Sequence, residues 1–397
     1  MAMRRVTVLW WVLWACGVGV AGGVTAADPL GDLGQVERLQ AALATVAEAV
    51  APAVVAIRAE RRLSPAELEF GDDSGRVPND ETHRRVRRQQ VVPAIGTGII
   101  VDADGAVLTN EHVIHGADLE SITCVLSTGE VYAVRAVTSD PRSDLAILRI
   151  DGRRLPQVKL GDLSTVRQGH FAIVMGNPYG SASENRGRPA MSFGIVSALG
   201  RPLTRELSPL DERYYGNLIQ TDARIRPGNS GGPMLNIHGE VIGITTAIST
   251  GSGDSDGLGY AIPIDARTKA IIAQLLRGEA VEYGFLGIRL DEPTSEDRRL
   301  AGAPSGARGA LVREVEPQTP AAQAKLRAGD LVVEFDGLSV RGVDELIRLV
   351  GAARVGTPVS LTFYREGATQ TVTVSPARRN VPQGVTCKAP TASQPGE

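Results

Sequence analysis

The sequence predicts a mainly β protein in two folded parts: a long region of many short strands, then a small β-sandwich-like domain with two helices. Three observations carry this. From "PAVVAIRAE" to about Pro263, short apolar or alternating runs are separated by turn signals such as Asp104-Gly105, Ser127-Thr128-Gly129-Glu130 and His238-Gly239-Glu240, the pattern of a barrel or sandwich. From about Glu282 a second set of such runs begins after a helical segment. The 397 residues, 43% hydrophobic and 22% charged, suffice for two cores.

The elements follow in order. Residues 1–26 carry Arg4 and Arg5, an uncharged apolar run from Val6 to Val24 and small residues ending in Val24-Thr25-Ala26, which predicts an export signal. The run is also long enough to span a bilayer, so an uncleaved membrane anchor at 6–24 is the rival expectation. "LWAC" before Gly17 resembles a lipoprotein cleavage box, which the bulky Trp14 fits poorly. All three tryptophans, Trp10, Trp11 and Trp14, lie in this leader, so a cleaved product contains none. The three cysteines, Cys16, Cys124 and Cys387, form neither a disulfide framework nor a metal-ligand spacing.

A helical segment, 27–44, leads into the β-rich region 45–264: Val36, Leu39, Leu43, Val46 and Val50 fall on one helix face and Pro52 ends it. Within the β region, residues 61–90 form a polar insert containing "HRRVRRQQ", read as a solvated loop with a polyanion or regulatory contact as the alternative. A helix from Asp265, an N-cap, to Gly278 lies in the connector 265–281. The second domain spans 282–378, with "YGFLGIRL", a polar stretch, "GALVREVEP", a helix-like "GVDELIRLVGAA" and a strand pair turning at Glu366-Gly367. The Pro-rich tail, 379–397, has no periodic apolar face and is expected to be disordered. A net charge of -3 creates no overall field for gathering nucleic acid, and none is expected as a partner.

Chemistry concentrates in "QTDARIRPGNSGGPMLN". A nucleophilic serine needs an exposed sharp turn, a base and N–H groups aimed at a developing oxyanion. Gly228 and Gly231 around Ser230 meet the first and third needs, and the N–H groups of Gly228 and Ser230, with Asn229 between them, are the candidate oxyanion donors. With 45 glycines in the chain, a chance G-x-S-G-G remains the plain alternative. Among five histidines, His112 has the strongest context, just beyond two strands joined at Asp102-Ala103-Asp104-Gly105. His115, three residues on, suggests a metal pair, but no HExxH pattern or nearby acidic ligand supports one, and no metal or cofactor is expected. Asp144, at the mouth of the apolar run Leu145-Ala146-Ile147-Leu148, is the candidate for orienting the imidazole, with Asp222 as competitor and Asp140 read as a turn former. The order His112, Asp144, Ser230 matches that of chymotrypsin-like double barrels.

"TNEHVI", "SDLAILRI", "GNPYG", "GIVSALGR", "QTDARIRPGNSGGPMLN", "GLGYAIPID", and "FLGI" with "TPAAQAKLRAGD" resemble, in order, the HtrA (high-temperature-requirement) family of exported serine proteases with a PDZ domain, over roughly residues 45–378. The resemblance implies a chymotrypsin-like double β-barrel, a His112–Asp144–Ser230 triad, degradation of unfolded or misfolded proteins, homotrimers or higher oligomers, and no cofactor. It also implies that Phe285, Leu286, Gly287 and Ile288 offer N–H groups to a peptide carboxylate, although an ordinary first strand would read the same way. Ile225, Arg224, Tyr260 and Ala261 would line the substrate pocket. The chain departs from the family's pattern at Arg224 and Arg226, where small or neutral residues are common, and at Lys325, which stands in place of a common PDZ glycine. The connections around "GNPYGSASENRGRPAMSFGIVS" and "RPLTRELSPLDERYYGN" are long, and in the family such loops assemble the active site. Two other readings remain: a holdase chaperone or PDZ scaffold with a latent protease fold, and an unrelated esterase.

Overall fold

The computed structural model describes residues 29–62, 91–177, 188–203, 213–246, 258–380 and 386–388. The leader, most of the insert 61–90 and most of the tail lie outside the described residues. The chain divides into two compact units, Met1–Leu43 and Ala44–Glu397. Helix α1 is Pro29–Val50. In the first unit its Leu33, Val36 and Leu39 are exposed, while in the second Val46 and Val50 are buried against the turn at Gly239. No helix among the described residues is long and apolar enough to cross a membrane.

The first barrel is built from β1 (Val54–Arg62), β2 (Val91–Asp102), β3 (Ala106–Thr109), β4 (Thr123–Val125), β5 (Val131–Asp140) and β6 (Leu145–Ile150), in the order β5-β4-β1-β2-β3-β6, and β6 pairs back onto β5 to close it. Its interior is branched aliphatic: Val55, Ile57, Ile100, Val107 and Leu148. Such residues favour the pleated, half-buried surface of a strand, and closure removes the edges that would otherwise aggregate. After β7 (Lys159–Leu160), the second barrel comprises β8 (Phe171–Gly176), β9 (Ala190–Arg201), β10 (Leu218–Thr221), β11 (Pro233–Leu235), β12 (Glu240–Thr246) and β13 (Gly259–Pro263). The order β11-β8-β9-β10-β13-β12 closes through β11–β12, around Ala172, Val174, Val196, Ile219 and Ile242. The mainly β double barrel predicted from the sequence is what the chain adopts.

A short helix α2 (Glu111–Ile114) follows β3, and α3 (Ala266–Leu276), N-capped by Asp265 Oδ1 on Thr268 N at 2.8 Å, follows the second barrel. The PDZ part has β14 (Gly284–Phe285), β15 (Ile288–Asp291), α4 (Ser295–Ala301), β16 (Ala310–Val315), α5 (Pro320–Gln323), β17 (Leu331–Phe335), β18 (Leu338–Ser339), α6 (Val343–Ala352), β19 (Val359–Arg365), β20 (Ala368–Val374) and β21 (Ala377–Arg378). Its sheet runs β15-β16-β17-β19-β20 with β18 on β17, and β14 pairs with β21. Where two helices were expected there are three. The additional α4 begins in the polar stretch after Asp291, at a reciprocal cap between Thr294 and Asp297. Lys325 adopts φ 59, the left-handed conformation that suits the glycine it replaces, and its carbonyl accepts from Arg365 Nη2 at 2.9 Å.

One stretch of the tail departs from the expected disorder. Residues Thr386–Lys388 form β22, antiparallel to Thr138–Ala136 of β5. The physical reason lies in β5: β4 pairs only with Val131–Ala133, so its continuation offers unpaired backbone groups that an extended segment can satisfy.

Candidate active site

His112 sits on α2 immediately after β3, as the hairpin spacing predicted. Asp144 closes the β5–β6 turn with φ 55, a strained conformation for a residue with a side chain. That turn is anchored on both sides: Asn110 Nδ2 donates to Asp144 O at 2.9 Å and Glu111 N donates to the same oxygen at 3.1 Å. The result aims the carboxylate at the imidazole. Its Oδ2 lies 2.8 Å and its Oδ1 3.0 Å from His112 Nδ1, and Oδ1 accepts the backbone N–H of His112 at 2.9 Å. Asp144 is fully buried while His112 is partly exposed, so one end of the pair faces the interior and the other is accessible. Burial by itself pushes the Asp144 carboxyl up, but the charge and hydrogen bond of His112, the charge of Arg213 and the Tyr215 hydroxyl outweigh it and hold the group below its ordinary value.

Ser230 comes from the second barrel, and its loop is clamped to the first barrel through Thr97 of β2. Thr97 N donates to Ser230 O at 2.8 Å, and Thr97 Oγ1 donates to Gly228 O at 2.6 Å. Thr97 O in turn accepts from Thr109 Oγ1 at 2.7 Å, one strand away and three residues before His112. The approach is so close that it excludes a side chain. A Cβ on Gly231, at φ +84, would lie 2.1 Å from Thr97 O, 2.2 Å from Thr109 Oγ1 and 3.1 Å from Asn110 N. Gly228, at φ +96, and the Asn229 N to Arg226 O bond of 2.9 Å shape the turn that precedes the serine. The loop that carries Ser230 is therefore packed against the strand pair that leads to His112 and its buried carboxylate partner.

The other candidates separate clearly. Asp222 Oδ1 accepts from Ile195 N of β9 at 2.7 Å, so its carboxylate serves the second barrel's backbone and not His112. Asp140 is the turn former expected, with Oδ2 accepting from Ser143 N at 2.9 Å, but it also accepts from Tyr283 OH at 2.5 Å. His115 Nδ1 lies 2.8 Å from Glu111 Oε1, an acidic neighbour that the sequence reading discounted. The half-buried Ile225 side chain leans on Gly259, next to buried Tyr260 and Ala261 of β13. Arg224 and Arg226 are exposed, and Arg224 O accepts from Ser192 Oγ at 2.8 Å. Thr97, which bonds Ser230, and Asn110 and Tyr215, which bond Asp144, were not singled out from the sequence. Only "TNEH", which places Asn110 beside His112, offered a local signal.

In the PDZ part, Leu286 and Gly287 are buried while Phe285 and Ile288 are half-buried. Ala321 N donates to Leu286 O at 3.0 Å and Glu316 N to Gly287 O at 2.9 Å, which fixes the loop that leads into the edge strand β15.

Comparison with known proteins agrees with this architecture. Residues 96–244 match the trypsin-like peptidase domain and residues 284–375 the PDZ domain. A probable periplasmic serine endoprotease DegP-like from Pseudomonas putida is 35% identical over 362 residues, covering 86% of this chain and 72% of that protein. One from Halomonas elongata is 36% identical over 306 residues, 77% of this chain; the chain spans 60% of that relative's length. Among solved structures, the HtrA-type protease AlgW with tripeptide has a TM-score of 0.67 at 30% identity, over 86% of this chain and 98% of that one. A serine endoprotease from Yersinia pestis has a TM-score of 0.57 at 26% identity, over 85% and 98%. A trypsin-like double barrel, a PDZ domain and these relatives together show that the chain belongs to the DegP-like, HtrA-type family of serine endoproteases.

Proposed function

We propose that this protein is an exported serine endopeptidase that degrades unfolded or damaged proteins. The observation that carries the reading is the His112–Asp144 pair at 2.8 Å, supported by the bond from Thr97 to Ser230 O and the close approach of Gly231 to Thr97 and Thr109. In this reading His112 removes the Ser230 proton as the oxygen attacks a peptide carbonyl, and Asp144 fixes the imidazole and stabilises its protonated form. The N–H groups of Gly228 and Ser230, flanking Asn229, receive the oxyanion. His112 then passes its proton to the leaving amine, and water releases the acyl-enzyme by the same route. Ile225, Tyr260 and Ala261 support an aliphatic pocket for the residue before the cut, with Arg224 at its outer rim.

The PDZ part takes peptide C-termini. Its loop Phe285–Ile288 receives the carboxylate, and the ligand adds as a strand to β15, whose free edge suits that mode. Periplasmic location follows the naming of the relatives, with the leader as signal or, alternatively, as membrane attachment through 6–24. Homotrimers or larger assemblies belong to the same proposal, and the exposed Leu33, Val36 and Leu39 of α1 supply apolar surface for them. A buried, aimed carboxylate favours hydrolysis over a latent holdase or scaffold, which would have no use for it. The test is hydrolysis of unfolded casein by the full chain and by Ser230→Ala. Cleavage that vanishes in the variant supports the reading, and cleavage that persists ends it.

A further inference from the structure

The mechanism above gives Tyr215 nothing to do, yet its hydroxyl reaches the group on which that mechanism depends. Tyr215 OH donates to Asp144 Oδ2 at 2.6 Å, from a segment 71 residues away in sequence that leads into β10. Among the described residues, every other side-chain hydrogen bond on this carboxylate comes from His112. His112 holds both oxygens, Oδ1 through its N–H at 2.9 Å and Nδ1 at 3.0 Å and Oδ2 through Nδ1 at 2.8 Å, and Oδ2 also accepts from the phenol. Tyr215 thus gives Oδ2 a second donor, from outside His112, that restrains rotation of the carboxylate about the His112 contacts.

Tyr215 is itself held. Leu203 N donates to its carbonyl at 2.8 Å, its hydroxyl lies 3.5 Å from Thr246 Oγ1 of β12, and its side chain is buried. Burial and the adjacent Asp144 charge keep its proton from leaving, so it acts as a donor throughout the working range. The charged and titratable groups facing Asp144 are His112, Arg213 and Tyr215.

We propose that Tyr215 is a positioning residue for proteolysis: its hydroxyl holds the Asp144 carboxylate in the plane that aims His112 at Ser230 and withdraws part of its negative charge. The inference rests on the serine-protease reading. A hydrogen bond to a charged acceptor is worth more than one between neutral groups, so its loss should reach the reaction through both geometry and charge.

Two variants of the full chain test this, with casein hydrolysis and fluorophosphonate labelling of Ser230 followed across pH. Tyr215→Phe keeps the ring and removes the donor. It should lower kcat by about tenfold with KM nearly unchanged, and should move the acid limb of kcat/KM to higher pH, because the less-shielded carboxylate stabilises the imidazolium more. Replacing Tyr215 with a ring-fluorinated tyrosine, a stronger donor of nearly the same shape, should move that limb to lower pH, and it serves if the Phe variant does not fold. A folded Phe variant with unchanged kcat and limb overturns the proposal. So does a loss confined to KM, or a limb that moves the same way in both variants. Failure of the serine-protease reading is separate, because there Ser230→Ala would retain activity.

Discussion

Tyr283 donates its hydroxyl to Asp140 Oδ2 at 2.5 Å, joining the first residues of the PDZ part to the turn that carries Asp144. The same contact stacks Arg142 between two rings, 5.1 Å from the Tyr214 centroid and 5.4 Å from that of Tyr283. Tyr214 completes it, donating through its hydroxyl to Asp344 O on α6 at 2.6 Å and through its N–H to Arg142 O at 2.9 Å. The two domains are therefore fastened at the turn that presents the carboxylate.

From this junction, Tyr283→Phe should destabilise the chain by about 1–3 kcal/mol, since Asp140 is buried and loses a donor. The looser turn should also slow casein cleavage severalfold. Thermal unfolding and a turnover assay check both, and wild-type values in each would show that the junction does not support the turn.

Asp144→Asn should reduce kcat by something like 10⁴ if the carboxylate holds the imidazole in the required tautomer. Steady-state kinetics on a folded variant decide this. A loss of less than about tenfold would mean that His112 is oriented by something else.

The three candidate residues were visible in the sequence because each lies in a local pattern: a hairpin before His112, a polar-to-apolar step at Asp144, and a glycine-bounded turn at Ser230. Their supports were not. Thr97 meets Gly228 across 131 residues and Tyr283 meets Asp140 across 143, and neither residue type at those positions signals a distant partner. Asp144 was preferred to Asp222 in the sequence because it precedes an apolar run, and Asp222 instead accepts from Ile195 N of β9. The strand at Thr386–Lys388 was hidden for another reason: pairing is decided by the edge that β5 leaves open, not by the tail's own composition.

The acid side of the stability curve should depend on Asp144 and Asp140 with opposite signs. The Asp144 carboxyl is held below its ordinary value, so around that value the unfolded chain binds the proton and the folded chain does not. Its stabilisation is present above the ordinary value and is lost as pH falls through the folded one. Burial raises Asp140 above its ordinary value, so there stability falls as pH rises through the window between the two. Denaturant titrations across the carboxylate range should show Asp144→Asn with a flatter rise on the acid side and Asp140→Asn without the opposing fall. Curves parallel to the wild type would contradict both assignments.

Gly231→Ala should cost at least about 2 kcal/mol and abolish cleavage, because its methyl would meet Thr97 O at 2.1 Å in a backbone conformation unsuited to a side chain. Thermal unfolding and casein assays measure the two effects. An active, equally stable variant would disprove the close approach of the two barrels.

Gly287→Ala should weaken binding of an apolar C-terminal peptide at least about tenfold, since its Cβ would lie 2.3 Å from Thr319 Cβ and distort the loop before β15. Fluorescence anisotropy with a labelled peptide reads this directly. Unchanged affinity would remove Phe285–Ile288 from the proposed carboxylate site.

The central claim is that Ser230 is the nucleophile of a peptide-bond hydrolase. Its most direct test is fluorophosphonate labelling of the full chain with peptide mapping, run beside casein hydrolysis. The account predicts a single adduct on Ser230, with labelling and hydrolysis lost together in Ser230→Ala. An adduct elsewhere, or hydrolysis that survives in that variant, would contradict it.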